Sequence, residues 1–120
     1  MPASLLIGER ERRLYPLHPD KVDYIESNGN YVSIRSGNAA YISRDTLKRL
    51  TVALKDAGFI RIERSLLVNV RSVLYAESAG RGRFSFTLAS GACLQSSASY
   101  REAILRALPL ASTNGRRSTN

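Results

Sequence analysis

Tight-turn signals interrupt this chain so often that few elements between them have room to be long. Ser27-Asn28-Gly29-Asn30, Ser36-Gly37-Asn38, Gly80-Arg81-Gly82 and Ser90-Gly91 each supply residues that accept a sharp reversal. Between and around them lie strand-like stretches at 22–26, 31–35 and 39–42, and this succession predicts an antiparallel meander. Strand character resumes at 60–62, 66–70 and 73–76. Phe84, Phe86 and Leu88 then alternate with Ser85 and Thr87, the pattern of a half-buried strand. A last short strand is expected at 92–95, with Cys93 as a small packed thiol inside it.

The period changes in one place. Leu47, Leu50 and Leu54 form a helical stripe, with Ser43 or Asp45 as its expected cap. Gly58 suits the left-handed position after the last turn, with Phe59 folding back on Leu54. Lys48, Arg49 and Lys55 fall off the stripe and read as a solvated face. Ser99-Tyr100-Arg101-Glu102 reads as a capping box opening a second, short helix, which Pro109 stops. The expected architecture is therefore mainly β, with one central amphipathic helix and a short C-terminal one.

The 120 residues have room for one domain. Residues 1–21 read as an N-terminal extension: 9–13 are a solvated charged run, and Pro16 and Pro19 mark a loop around His18. The domain proper spans 22–108, and 109–120 read as a disordered basic tail. The single cysteine excludes an internal disulfide and a cysteine zinc site. No apolar run approaches the ~20 residues of a membrane helix, and no signal peptide is evident, so a cytoplasmic setting is expected.

Charge narrows the function. The formal net charge is +8, and of 18 basic residues only Lys21, Lys48 and Lys55 are lysine. Arginine's planar fork donates paired hydrogen bonds to phosphate or guanine, so a basic, arginine-rich domain points first to nucleic acid. An anionic membrane surface and an acidic protein come after it.

Catalysis finds little support. His18 stands alone, and there is no nucleophile elbow or phosphate-binding glycine loop. Glu63, between Arg61 and Arg64, suits an ion pair better than acid catalysis. We expect no enzyme activity, no cofactor and no metal.

Binding is better served. Asn28 and Asn30, Arg64 and Ser65, Arg81 and Arg83, and Ser96 and Ser97 all fall at loops between strands. Asparagine can read adenine, arginine can read guanine or grip phosphate, and serine suits phosphate. Turn chemistry alone also accounts for the two asparagines, and an ion pair with Glu63 or Glu26 also accounts for Arg64.

The order of these pieces resembles the LytTR family. Residues 22–32, Val-Asp-Tyr-Ile-Glu-Ser-Asn-Gly-Asn-Tyr-Val, look like its opening strand pair. Residues 59–70, Phe-Ile-Arg-Ile-Glu-Arg-Ser-Leu-Leu-Val-Asn-Val, are similar to its most diagnostic segment, and Gly91, Leu94, Ser97 and Tyr100 match its last strand and turn. The resemblance implies an elongated stack of small antiparallel β-sheets, the DNA-binding output of bacterial response regulators in two-component systems. Its loops place side chains in successive major grooves for transcription control. Three regions would then meet duplex DNA: Asn28, Asn30 and Tyr31; Arg64 with Ser65; and Ser97, with Arg101 one helical turn on. Two positions depart from the family: Glu63 stands where histidine is common, and Ala98 where arginine is. Glu63 should point away from phosphate or accept from a cytosine amine. Asn69 matches the family and reads as structural, its amide bonding backbone. Partners compatible with this reading are a second copy on repeated half-sites and a sensor or receiver protein, without a membrane. The departures motivate the alternative, a protein-interaction or adaptor module that keeps the fold. An RNA or single-strand binder lacks its stacking platform.

Overall fold

Leu66, Leu67 and Val68 are apolar in succession rather than alternately because their strand is covered on both faces. In the computed structural model, which describes residues 6–108, Leu67 faces one hydrophobic cluster while Leu66 and Val68 face another. The strands are β1 (Leu6–Arg10), β2 (Arg13–Leu17), β3 (Tyr24–Asn28), β4 (Tyr31–Ser36), β5 (Ala39–Ser43), β6 (Phe59–Glu63), β7 (Leu66–Asn69), β8 (Val73–Gly80), β9 (Arg83–Leu88) and β10 (Cys93–Gln95). Two helices, α1 (Leu47–Ala53) and α2 (Arg101–Ala107), complete the set. Seven strands form one sheet in the order β2-β1-β5-β4-β3-β7-β6, and three form a second, β10-β9-β8. All pairings are antiparallel. The molecule measures 50 × 29 × 25 Å, so the expected elongated β architecture with two helices is what forms.

The first cluster lies between the large sheet and α1, whose Leu47, Leu50 and Leu54 are all buried. The second lies between β6–β7, the small sheet and α2, centred on Phe86, Leu88 and Ile104. Each fully buried side chain of this size contributes about 1.5–3 kcal/mol. The 3-10 turn that follows α1, Lys55–Ala57, ends in a Schellman closure. Gly58 has φ +88°, its N–H meets the Lys55 carbonyl at 3.1 Å, and the Phe59 N–H meets the Leu54 carbonyl at 3.3 Å.

Several local expectations are corrected. Thr46, not Ser43 or Asp45, caps α1, accepting from the Arg49 N–H at 3.1 Å. Asp45 instead accepts from the Thr46 N–H at 2.8 Å and holds Arg49 with both oxygens. No capping box forms at Ser99: a 3-10 turn at Ala98–Tyr100 runs straight into α2, whose first residue follows Tyr100. Cys93 is exposed, its sulfur 3.6 Å from the Ser85 hydroxyl. Residues 6–17, which include the charged run read at 9–13 and the start of the loop expected at Pro16, form the β1–β2 hairpin, which joins the large sheet through Glu9 opposite Ile42. Its turn puts Glu11 and Arg12 at φ +53° and +68°. Pro16 lies in β2, the free edge of the sheet, where a missing N–H is tolerated. The tail expected at 109–120 lies outside the described residues.

Candidate nucleic-acid interface

The three loop regions singled out by sequence fall at one end of the strands, in a continuous row. The first is the β3–β4 turn. Asn28 and Tyr31 face each other across it, Gly29 adopts φ +64°, and Asn28, Asn30 and Tyr31 are all exposed. Glycine at the first of two central positions is the residue a type II′ hairpin requires. Arg44, just past β5, stands beside Asn30 and Tyr31 on one shallow depression. Nothing in the sequence marks that neighbourhood, because it arises from the Val32–Ser43 register of β4 and β5.

The β6–β7 turn is adjacent because β7 pairs with β3, and the Ser27 N–H donates to the Ser65 carbonyl at 2.9 Å. About two strand spacings, ~10 Å, separate the two turn tips. Arg64 is exposed at this second tip. Neither expected ion pair forms: Glu26 faces Arg35 at 3.8 Å, and Glu63 accepts from the Ser65 N–H at 2.9 Å and the Ser65 hydroxyl at 2.5 Å. Arg64 therefore has no carboxylate partner among the described residues. The Ser65 bonds, hydroxyl first, hold the Glu63 carboxyl below the usual carboxylate range. Glu63 is turned into its own turn, and the Ser65 hydroxyl proton is already engaged.

Arg61 is a contributor that sequence reasoning passed over. Its guanidinium donates to the Thr51 hydroxyl of α1 at 3.2 Å, to the Glu63 carbonyl at 3.3 Å and to the Arg64 carbonyl. It clamps the β6–β7 turn to the helix, across a register shift in β6 between residues 61 and 63.

The third region adjoins β6. The Ser97 N–H donates to the Ile62 carbonyl at 3.1 Å, and the Ser97 and Ser99 hydroxyls lie 3.2 Å apart. Arg101 is exposed, its guanidinium carbon 5.3 Å from the Phe84 ring centroid. Behind this row, Asn69 is 1% exposed and bonded through both its amide nitrogen and its amide oxygen. Its amide donates to the Val22 carbonyl at 2.9 Å, and its side-chain oxygen accepts from the Arg71 N–H at 3.0 Å. No group of three or more metal-ligating side chains gathers among the described residues, and none of their helices is long and apolar enough to cross a membrane.

Comparison with known proteins agrees with this fold. The LytTr DNA-binding domain family matches residues 12–108. A solved structure from Bacillus cereus, the LytTr DNA-binding domain assigned to a methyl-accepting/DNA response regulator, superposes with a TM-score of 0.82 at 21% identity, covering 88% of this chain and 96% of that one. No curated protein matches the chain in sequence.

Proposed function

The chain belongs to the LytTR DNA-binding family, and from that premise we propose that it binds duplex DNA sequence-specifically to regulate transcription. The observation that carries this reading is the single row of turns. Ser27–Ser65 and Ser97–Ile62 backbone bonds hold three polar tips side by side, with Arg64 free of any carboxylate among the described residues. In this reading Asn28, Asn30 and Tyr31 enter one major groove, and Ser97 and Arg101 approach the next. Arg64 reads a base edge, and Ser65 meets DNA through its free lone pairs or only sets the turn. The setting is a bacterial cytoplasm and a two-component pathway. A second copy on a repeated half-site and a sensor or receiver protein are the further partners it implies. The work is recognition, with no catalytic role.

Selection from a random duplex pool, followed by sequencing of the bound fraction, tests the proposal. A recurrent motif is expected, and its protection pattern should span successive major grooves. Binding without enrichment would reduce the chain to a non-specific DNA binder. A second reading, an adaptor that keeps the fold, draws on exposed Ile7, Leu14 and Ile42, which line one surface of the β1–β2 hairpin and β5. Absence of duplex binding at low salt would favour it.

A further inference from the structure

The β8–β9 turn carries charge that the three regions above do not use. Arg81 and Gly82 are its two central residues, at φ +57° and +81°, with Gly80 and Arg83 paired beneath them. Arginine rarely takes this left-handed conformation, which glycine and asparagine adopt most readily. The turn also abuts the third region. A Cβ placed on Gly82 would stand 3.4 Å from the Ala98 methyl and 3.7 Å from Arg101 Cδ. Arg101 in turn lies over Phe84, the second residue of β9.

The tip that carries Arg81 therefore stands beside Arg101, and Arg83, the first residue of β9, flanks that tip; all three are exposed. No carboxylate among the described residues pairs with any of them. The nearest acids in sequence are occupied or displaced: Glu102 faces Arg106 at 3.8 Å, and Glu77 lies opposite Ser85, back from the tip. Ala98, on which the turn packs, offers no charge of its own.

We infer that the β8–β9 turn is a fourth DNA-contacting element, in which Arg81 and Arg83 grip duplex phosphates beside the Ser97–Arg101 region. The inference rests on the DNA-binding reading above. Guanidiniums on a hairpin tip, set against a loop already facing the duplex, suit the charged backbone rather than base edges. They add affinity for any sequence and specificity for none.

The test uses the full chain, the duplex recovered by selection and a random duplex, titrated between 50 and 200 mM salt. Arg81→Asn suits the turn's backbone, so combined with Arg83→Gln it removes the charge and keeps the hairpin; Arg81→Lys with Arg83→Lys keeps the charge. The neutral variant should weaken both duplexes by the same factor. Its slope of log affinity against log salt should be shallower by about 1.8, so that it loses about 12-fold less affinity than the parent across that range. The lysine variant should keep the parent slope. Unchanged slope and affinities, with Arg64→Ala still relaxing sequence preference at its position, would overturn this inference and leave the DNA reading intact. Loss on the selected duplex alone, without a change of slope, would also overturn it. A parent chain that binds no duplex would remove both.

Discussion

The Glu63 carboxylate accepts two hydrogen bonds from Ser65, one from its N–H at 2.9 Å and one from its hydroxyl at 2.5 Å, and makes no ion pair with the Arg64 guanidinium. This closes the β6–β7 turn from within and leaves the Arg64 guanidinium unclaimed. An acidic residue beside an arginine proposed to read DNA is thus compatible with that proposal, because its charge is turned into the protein's own hydrogen bonds. Arg64→Ala should cost about 1–3 kcal/mol on the selected duplex and relax preference at one position. It should melt like the parent, since no ion pair is lost. Unchanged binding to both selected and random duplexes would show that Arg64 is not a reader.

The same turn should be sensitive to acid. Ser65 holds the folded-state pKa of Glu63 below the unfolded value of about 4.3. A depressed carboxyl stabilises the fold fully above its unfolded pKa, and that contribution disappears as pH falls through the folded pKa. Asp45, depressed by its bonds to Arg49, titrates in the same direction, so the parent curve alone does not isolate Glu63. Glu63→Gln does. Its unfolding free energy at neutral pH should lie below the parent's by about 1 kcal/mol or less for so exposed a turn, with a correspondingly lower Tm. The gap should narrow below about pH 4. A gap that widens in acid would contradict the assignment.

Affinity as a whole should depend steeply on salt. The net charge is +8, and Arg44, Arg64, Arg81, Arg83 and Arg101 all lie exposed on or beside the row of turns. If about six phosphates are neutralised, log affinity falls against log salt with a slope near −5. A flat response in a titration from 50 to 300 mM salt would remove DNA as the partner.

What the sequence made legible follows local physical rules. The α1 stripe, the Gly58 ending and the two-residue turns at Gly29 and Gly82 each state their conformation in their own residues. The β1–β2 hairpin did not. Its turn holds Glu11 and Arg12 at positive φ without glycine or asparagine, and Pro16 lies within a strand, so tertiary pairing overrides both local preferences. Ser99 looked like a cap because the 3-10 turn leading into α2 leaves no signature of its own. At the site, asparagine and arginine at turns were visible as residue types. That Glu63 would choose Ser65 over two neighbouring arginines depends on side-chain direction, which no spacing encodes. Cys93 alternates correctly for its strand but lies on the solvent side of the small sheet, whose outer face is uncovered.

Asn69 should matter for the fold and little for DNA. It is buried and joins β7 to the segment before β3 through the Val22 carbonyl, while its own N–H donates to the Asp23 carbonyl at 3.0 Å. Asn69→Ala leaves the Val22 carbonyl and the Arg71 N–H without their partner. At ~1–3 kcal/mol for the buried Val22 carbonyl left unpaired, and about 1 kcal/mol for the part-buried Arg71 N–H, the loss should be about 2–4 kcal/mol, a fall in Tm of roughly 10 °C or more. Well below that Tm, affinity for the selected duplex should match the parent's. An unchanged Tm would contradict the structural role.

Arg61 offers the sharpest separation of bracing from contact. Its guanidinium is half-buried and engaged by Thr51 and by the carbonyls of Glu63 and Arg64, so it holds the β6–β7 turn at a fixed distance from α1. Thr51 is itself tied to the helix, its hydroxyl donating to the Leu47 carbonyl at 2.7 Å. Arg61→Ala should therefore reduce the ratio of selected to random duplex affinity, by about 10-fold if the turn shifts enough to lose one bidentate base contact. The salt slope should stay at the parent value, because no phosphate contact is removed. Arg61→Lys should recover little of the ratio, since a single ammonium cannot span a hydroxyl and two carbonyls as the planar fork does. A phosphate-gripping Arg61 predicts the opposite: a slope shallower by about 0.9 in the alanine variant, an unchanged ratio, and rescue by lysine. Salt titrations of the two variants on both duplexes decide between these outcomes.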